Sequence, residues 1–275
     1  MSGIIFSGIT PHGFSVISEI SGEENKLFKP TRDAMELLGS KVKKLKPDTI
    51  VLLTPHGLRL QGYSAVYTCE YCRGFLSANN RTVYADFKCD QSLAKEILKR
   101  ATYHGIPCVG ANFGALCGEA SNIEMDWGTL IPLWFMGAQE EKKPELVIIA
   151  PTREIPLEQL IDLGTIIAQA CNDSSKKVVL IASADQGHAH DQNGPYGFHE
   201  ASKVYDYEIN SIIKENNLSK LLELDMNMVT DAKPDSLWQM LILYGATKIT
   251  PMKGELLSYQ VPTYFGMTVA SYEVL

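Results

Sequence analysis

The sequence predicts an α/β fold: a single domain with a largely parallel central sheet flanked by helices on both faces. Three observations predict it. Short continuous apolar runs such as Ile50-Val51-Leu52-Leu53 and Val147-Ile148-Ile149-Ala150 show no polar alternation, and strands of that kind are buried on both faces. Segments with apolar residues at helical spacing separate these runs. No low-complexity linker or long repeat cuts the 275 residues, so 1–275 reads as one domain.

The elements follow in order. Met1-Ser2-Gly3-Ile4-Ile5-Phe6 has no basic leader before a long apolar stretch, so residues 4–9 read as a first strand and not a signal peptide. Residues 31–45 carry Ala34, Leu37, Leu38, Val42 and Leu45 at helical spacing, and Pro47-Asp48 leads into a buried strand over 49–53. Residues 60–68 and 81–87 read as strands, 91–103 as a helix and 105–109 as a short strand. Core strands at 146–150 and 177–182 enclose a helix over 156–171. Helices follow at about 200–215 and 234–245, with Asp231-Ala232-Lys233-Pro234 as the entry to the second. Residues 258–275 look extended.

Composition excludes some functions. Lys and Arg total 25 against 32 Asp and Glu, a net charge of −7, which argues against nucleic acid or an anionic membrane as partner. No apolar run reaches the roughly 18 residues of a membrane span. Cys69, Cys72, Cys89, Cys108, Cys117 and Cys171 are expected as reduced thiols, which points to the cytoplasm. Cys69-Glu70-Tyr71-Cys72 is a C-x-x-C pair without a second pair at zinc-finger spacing; with Cys89 or His104 it is a weaker candidate for structural zinc than for free thiols.

In open α/β sheets ligands bind at the carboxyl ends of the strands. Two of those ends carry the same turn, Thr10-Pro11-His12-Gly13 and Thr54-Pro55-His56-Gly57. Proline stiffens the turn and glycine is expected to free the backbone beside the imidazole. Two imidazoles so placed suit Fe, Zn, Cu or Ni; the alternative is two unrelated strand-end histidines bonded to backbone. A redox-iron site adds one carboxylate. Asp126, Asp185, Glu119, Glu200, Asp206 and Asp235 are the candidates near loops. A third strand end carries Asp185-Gln186-Gly187-His188-Ala189-His190.

Several blocks carry a family resemblance. Ser183-Ala184-Asp185-Gln186-Gly187-His188, then Asn193-Gly194-Pro195-Tyr196-Gly197-Phe198 and Tyr205-Asp206, resemble the Ser-Gly-Asp-Leu-Ser-His, Gly-Pro-Tyr-Gly and Phe-Asp blocks of the class III extradiol dioxygenase superfamily. That superfamily includes the catalytic B subunit of protocatechuate 4,5-dioxygenase and the Memo-like proteins. Met125-Asp126-Trp127-Gly128 through Pro132-Leu133 resembles its Asp-His-Gly-x-x-x-Pro-Leu block. The resemblance runs from about residue 4 to 246.

It implies a LigB-like fold and a mononuclear metal, Fe(II) with Zn(II) as the alternative. His12 and His56 fall on metal-ligand positions, and His188 on the catalytic acid/base histidine. In the dioxygenases a glutamate opens a helix ending in Gly-Ala, and Memo-like proteins place cysteine nearby. Counting back from Gly245-Ala246, Asp235 lies one residue before the glutamate position and on the cysteine position, which makes it the expected third ligand. Trp127 replaces the histidine that helps hold substrate, so a different substrate pocket is expected. Trp127, Tyr196 and His190 are the candidate substrate-binding residues; for His190 a ligand, a proton shuttle and a solvated loop residue all stay open. Tyr63 and Tyr67 are further candidates for an aromatic wall.

The implied activity is cleavage of a catechol-type or aminophenol-type ring with O2. The rivals are a Memo-like metal protein without ring cleavage, favoured by Trp127 and the absent glutamate, and a zinc hydrolase or lyase on the same scaffold. The expected partners are a small aromatic substrate and O2, and family analogy adds a homo-oligomer.

Overall fold

The structure, a computed structural model, describes residues 2–275. Its strands are β1 (Gly3–Thr10), β2 (Thr49–Leu53), β3 (Ser64–Tyr67), β4 (Tyr71–Ala78), β5 (Arg81–Lys88), β6 (Cys108–Ala111), β7 (Asn122–Glu124), β8 (Glu145–Ala150), β9 (Lys177–Ser183), β10 (Met252–Gln260) and β11 (Met267–Val274). Its helices are α1 (Lys29–Leu45), α2 (Gln91–Tyr103), α3 (Trp127–Phe135), α4 (Leu157–Asp173), α5 (Ala201–Lys214), α6 (Met226–Ala232) and α7 (Leu237–Ile249).

Eight strands form the central sheet in the order β10-β11-β1-β9-β2-β8-β3-β6. The middle, β1-β9-β2-β8, is parallel throughout. Both flanks break the rule: β11 runs antiparallel to β1 and β10, and β3 antiparallel to β8. The extended C-terminal stretch is thus half of a hairpin that inserts β11 beside β1.

The apolar strands bury both faces because successive side chains point to opposite sides. Ile50 and Leu52 of β2 join the core under α1 and α3, while Val51 and Leu53 join the core under α2, α4 and α7. β9 divides the same way, Val179 and Ile181 against Val178, Leu180 and Ala182.

Four local expectations are corrected. The stretch 60–68 is strand only over Ser64–Tyr67. Tyr71–Ala78 is a strand that pairs with β5 through a turn at Asn79-Asn80, whose φ values of 51° and 57° are those of a tight primed hairpin turn. Trp127–Phe135 is a helix; it is apolar nearly all round and holds Pro132, so it shows no helical period. Asp231-Ala232 ends α6, and Lys233 closes it in the left-handed conformation at φ 55°. The stretch read as a helix entry is therefore a helix exit followed by the turn that carries Asp235.

α4 and α7 cross at two glycines. A Cβ on Gly164 would strike the Ile242 carbonyl oxygen, and one on Gly245 the Ile161 carbonyl oxygen. This close crossing fixes where α7 begins. Among the described residues, no helix is long and apolar enough to cross a membrane.

Candidate metal centre

Strand order brings the histidines together. β1, β9 and β2 are parallel neighbours, so the turns after Thr10, Ser183 and Leu53 leave the same edge side by side. They carry His12, Asp185 with His188, and His56. Asp235 arrives from the other direction, on the turn between α6 and α7.

His12 Nε2 lies 3.1 Å from His56 Nε2 and 3.1 Å from Asp235 Oδ2, and the latter is 3.4 Å from His56 Nε2. With metal–ligand bonds of about 2.1 Å, adjacent ligands of an octahedron stand about 3.0 Å apart and those of a tetrahedron about 3.4 Å. The three edges fall in that window. A single proton satisfies one pair of acceptors, whereas one divalent cation satisfies all three atoms. The donor set therefore fits a mononuclear metal of the Fe(II) or Zn(II) kind. Asp185, His188 and Asp235 form a second convergent group sharing Asp235.

Neighbouring groups hold each donor. Ser183 Oγ is 3.0 Å from His12 Nδ1. With Nδ1–H donating there, Nε2 faces the centre. Asp185 Oδ1 accepts from the His12 backbone N–H at 3.1 Å, and the Asp185 N–H donates to Asp235 Oδ1 at 2.8 Å. That leaves Asp235 Oδ2 free for the centre. Asp235 is 4 % exposed. It neither caps α7, whose N-cap is Ser236, nor sits in solvent.

Electrostatics follow from this crowding. Burial disfavours the His12 cation, but the charges of Asp185 and Asp235 outweigh it and push His12 up to about 9 in the metal-free protein. Burial and the nearby Asp235 raise Asp185, against the pull of His12. The cationic His12, with hydrogen bonds from His12 and His56, holds Asp235 far below the usual carboxylate range despite its burial. His188 differs: burial pushes it below the ordinary histidine value, so its ring is neutral at neutral pH. Its Nε2 stands 4.0 Å from Asp235 Oδ2, and its ring stacks on Phe265 at 5.4 Å and meets Tyr196 edge-on at 5.6 Å.

The centre opens into a cleft of about 730 Å³ walled by Trp127, Tyr196 and Trp238. Trp127 lies against His56, ring centroids 4.1 Å apart at 32°. Asp126 sets it there: its carboxylate caps α3 through the Thr129 N–H at 3.0 Å and accepts from Thr54 Oγ1, in the His56 turn, at 2.7 Å. Gly128 is needed for space, since a Cβ would come 3.2 Å from His56 Cδ2 and 2.8 Å from Thr54 Oγ1. The glycines of the two turns also serve close packing. Gly13 has an ordinary φ of −68° and neither Gly13 nor Gly57 adopts positive φ; a Cβ would meet Met267 at Gly13 and the Tyr67 hydroxyl at Gly57.

Other candidates lie elsewhere. His190 turns away from the cleft and its Nε2 contacts Asp206 Oδ2 at 2.9 Å. Asp206 is a buried hub that also accepts from the Gly187 N–H at 2.7 Å and the Tyr259 hydroxyl at 2.8 Å. Glu119 pairs with Arg73 at the surface, and Glu200 pairs with Lys203. Tyr67 is buried and accepts from the Leu58 N–H, while Tyr63 is 49 % exposed. Cys69 and Cys72 are buried free thiols; Cys69 Sγ lies 3.8 Å from Cys89 Sγ, and His104 stands exposed at the end of α2. Sequence reasoning missed Ser183, although it belongs to a quoted block, and Arg153, which has no motif around it.

The model of a protein family described as the catalytic LigB subunit of aromatic ring-opening dioxygenase matches residues 8–272. Protein CA_C1420 of Clostridium acetobutylicum is 27 % identical over 254 residues, which cover 92 % of this chain and 54 % of that protein. The chain spans about half the length of this curated relative. The crystal structure of the uncharacterized protein JW3007 from Escherichia coli K12 superposes with a TM-score of 0.58 at 14 % identity, covering 97 % of this chain and 99 % of that one, a likeness of fold. With a family match over nearly its whole length, the chain belongs to the family of the catalytic LigB subunit of aromatic ring-opening dioxygenases.

Proposed function

We propose that this protein binds Fe(II) through His12, His56 and Asp235 and opens a catechol-type or aminophenol-type ring with O2. One observation carries the reading. Three donor atoms from three separate turns lie within 3.4 Å of one another, under an aromatic-walled cleft with a neutral histidine at its edge. Bound Fe(II) supplies the redox coupling between an electron-rich diol and O2.

The chain's own residues supply binding and proton handling. Trp127 and Tyr196 give flat walls for an aromatic ring. His188 is held by Phe265 and Tyr196 with Nε2 toward the centre. A neutral imidazole there accepts the proton of a substrate hydroxyl at Nε2 and returns it later in the cycle.

The test is anaerobic purification, loading with Fe(II), metal analysis, and oxygen-electrode traces with a panel of catechols and aminophenols. Oxygen uptake with a yellow ring-opened product is the expected result. Bound iron without oxygen uptake across the panel overturns ring cleavage. The same metal analysis on protein made without added iron tests the Zn(II) alternative.

A second reading has its own support. Trp127 covers one face of His56, at the position where the resemblance puts a substrate-holding histidine. In that reading the protein is Memo-like, holding metal without ring cleavage, and Trp127→His gains no oxygen uptake.

A further inference from the structure

Charge in the cleft is opposite to that of the protein. The chain carries −7 overall, yet Arg59, Arg153 and Lys233 line the cleft, and Asp235 is its single lining carboxylate among the described residues. Asp235 is already committed to His12 and His56. The three cations therefore face the open space without a carboxylate partner in the cleft wall.

Arg153 is the most constrained of them. It sits in the loop after β8, half-buried, with its guanidinium carbon 4.4 Å from the Trp238 ring centroid. It lies over the indole, and its N–H groups have no protein acceptor among the described residues. Burial draws its pKa down against the pull of the Asp235 charge, and Arg59 adds to the lowering. Lys233 also lines the cleft, with Nζ 5.9 Å from the Tyr196 ring centroid and donating to the Tyr196 carbonyl at 3.3 Å. A half-buried guanidinium with unused donors facing a cleft is free to bind a ligand acceptor, and a planar oxyanion matches its fork.

We propose that Arg153, supported by Lys233 and Arg59, forms an anion subsite, so that the ligand of this cleft carries an oxyanion, a carboxylate or a phosphate, distinct from the group that meets the metal. Arg153 is then the residue that selects charged over neutral ring compounds. The proposal rests on the cleft being the ligand site of the proposed function, but it does not require ring cleavage.

The test is therefore binding. Two of the three tryptophans, Trp127 and Trp238, wall the cleft, so their fluorescence reports occupancy. Zn(II)-loaded protein is titrated with 3,4-dihydroxybenzoate, 3,4-dihydroxyphenyl phosphate and catechol, in wild type, Arg153→Met and Arg153→Lys. Both substitutions retain an apolar stem against Trp238. Wild type is expected to prefer one or both oxyanionic compounds over catechol. Arg153→Met is expected to weaken the preferred oxyanion about 10- to 100-fold while leaving catechol unchanged, with Arg153→Lys in between. The preferred arm tells carboxylate from phosphate. Equal binding of all three compounds by wild type, or an unchanged oxyanion affinity in Arg153→Met, overturns the subsite. A protein that passes this test and consumes no oxygen would refute ring cleavage and leave the subsite standing.

Discussion

His12 Nε2 lies 3.1 Å from Asp235 Oδ2 across 223 residues of sequence. The first follows the first strand, and the second sits in the turn that follows α6. Their meeting depends on two things: a parallel β1 beside β9, and an α7 pinned by its crossing with α4. The centre is therefore a property of the tertiary fold rather than of any one motif.

Removal of Asp235 tests the centre directly. Asp235→Asn keeps an oxygen for the Asp185 N–H but loses the charged donor. Its metal affinity falls by more than the about 10- to 100-fold typical of losing a residue that merely orients a ligand, with a small change in melting temperature. Ser183→Ala removes the acceptor for His12 Nδ1 and falls inside that 10- to 100-fold range. Chelator competition followed by metal analysis of the folded protein reads both, and wild-type metal content in Asp235→Asn would refute the ligand assignment.

Metal binding and stability are expected to respond to pH in opposite directions. His12 titrates near 9 in the metal-free protein because Asp185 and Asp235 outweigh its burial, so below that pH a cation must displace its proton. Affinity rises with pH by about tenfold per unit up to about 9. The stability sign is the reverse. The folded pKa of His12 is raised above its unfolded value near 6.5, so its contribution is complete below about 6.5 and lost as pH climbs through 9. Asp185, also raised, acts in the same direction. Metal-free protein should melt lower at pH 9 than at 6.5. A flat profile in both titrations would show that His12 is already neutral without metal.

Much of this was legible in the chain because local signals and the fold agreed. The runs at 49–53 and 146–150 have one interpretation as buried parallel strands, and the repeated Thr-Pro-His-Gly turns mark strand ends. The helix that begins at Trp127 was not legible, because a nine-residue apolar helix with Pro132 has no polar face to set a period. The C-terminal segment was legible as extended chain, but nothing local says that β11 inserts beside β1. His190 illustrates the same limit within the site. Its spacing from His188 suggests a shared role, yet the isolated pairing of its backbone with Phe198 and the pull of Asp206 turn it away from the cleft. Arg153 has no neighbouring motif, and its importance comes only from what it faces.

The helix crossing gives a prediction about position at a distance. A methyl on Gly245 collides with the Ile161 carbonyl oxygen, so Gly245→Ala must push α7 away from α4. Overpacking of this sort costs about 1–3 kcal/mol. Since α7 starts one residue after the Asp235-Ser236 pair, metal affinity should fall together with stability. Denaturant midpoints and chelator competition on the same preparation check it; a loss of stability with wild-type affinity would show that the turn is held independently, by Asp185 and by the 2.8 Å bond between the Tyr205 hydroxyl and Ser236.

Asp206 should separate structure from coordination. It was a candidate ligand by residue type, but its two oxygens accept from the Gly187 N–H, His190 and Tyr259, and it lies in neither group of convergent metal donors. Asp206→Ala leaves three donors without their acceptor in a buried site, at about 1–3 kcal/mol for each group left unsatisfied. The cost includes freedom for the loop that carries His188. The expected pattern is a lower melting temperature, metal bound at near wild-type affinity by the protein that remains folded, and slower oxygen uptake if the ring-opening activity is present, because His188 loses its fixed position. Loss of metal from folded Asp206→Ala protein would instead assign Asp206 to the support of the ligands themselves.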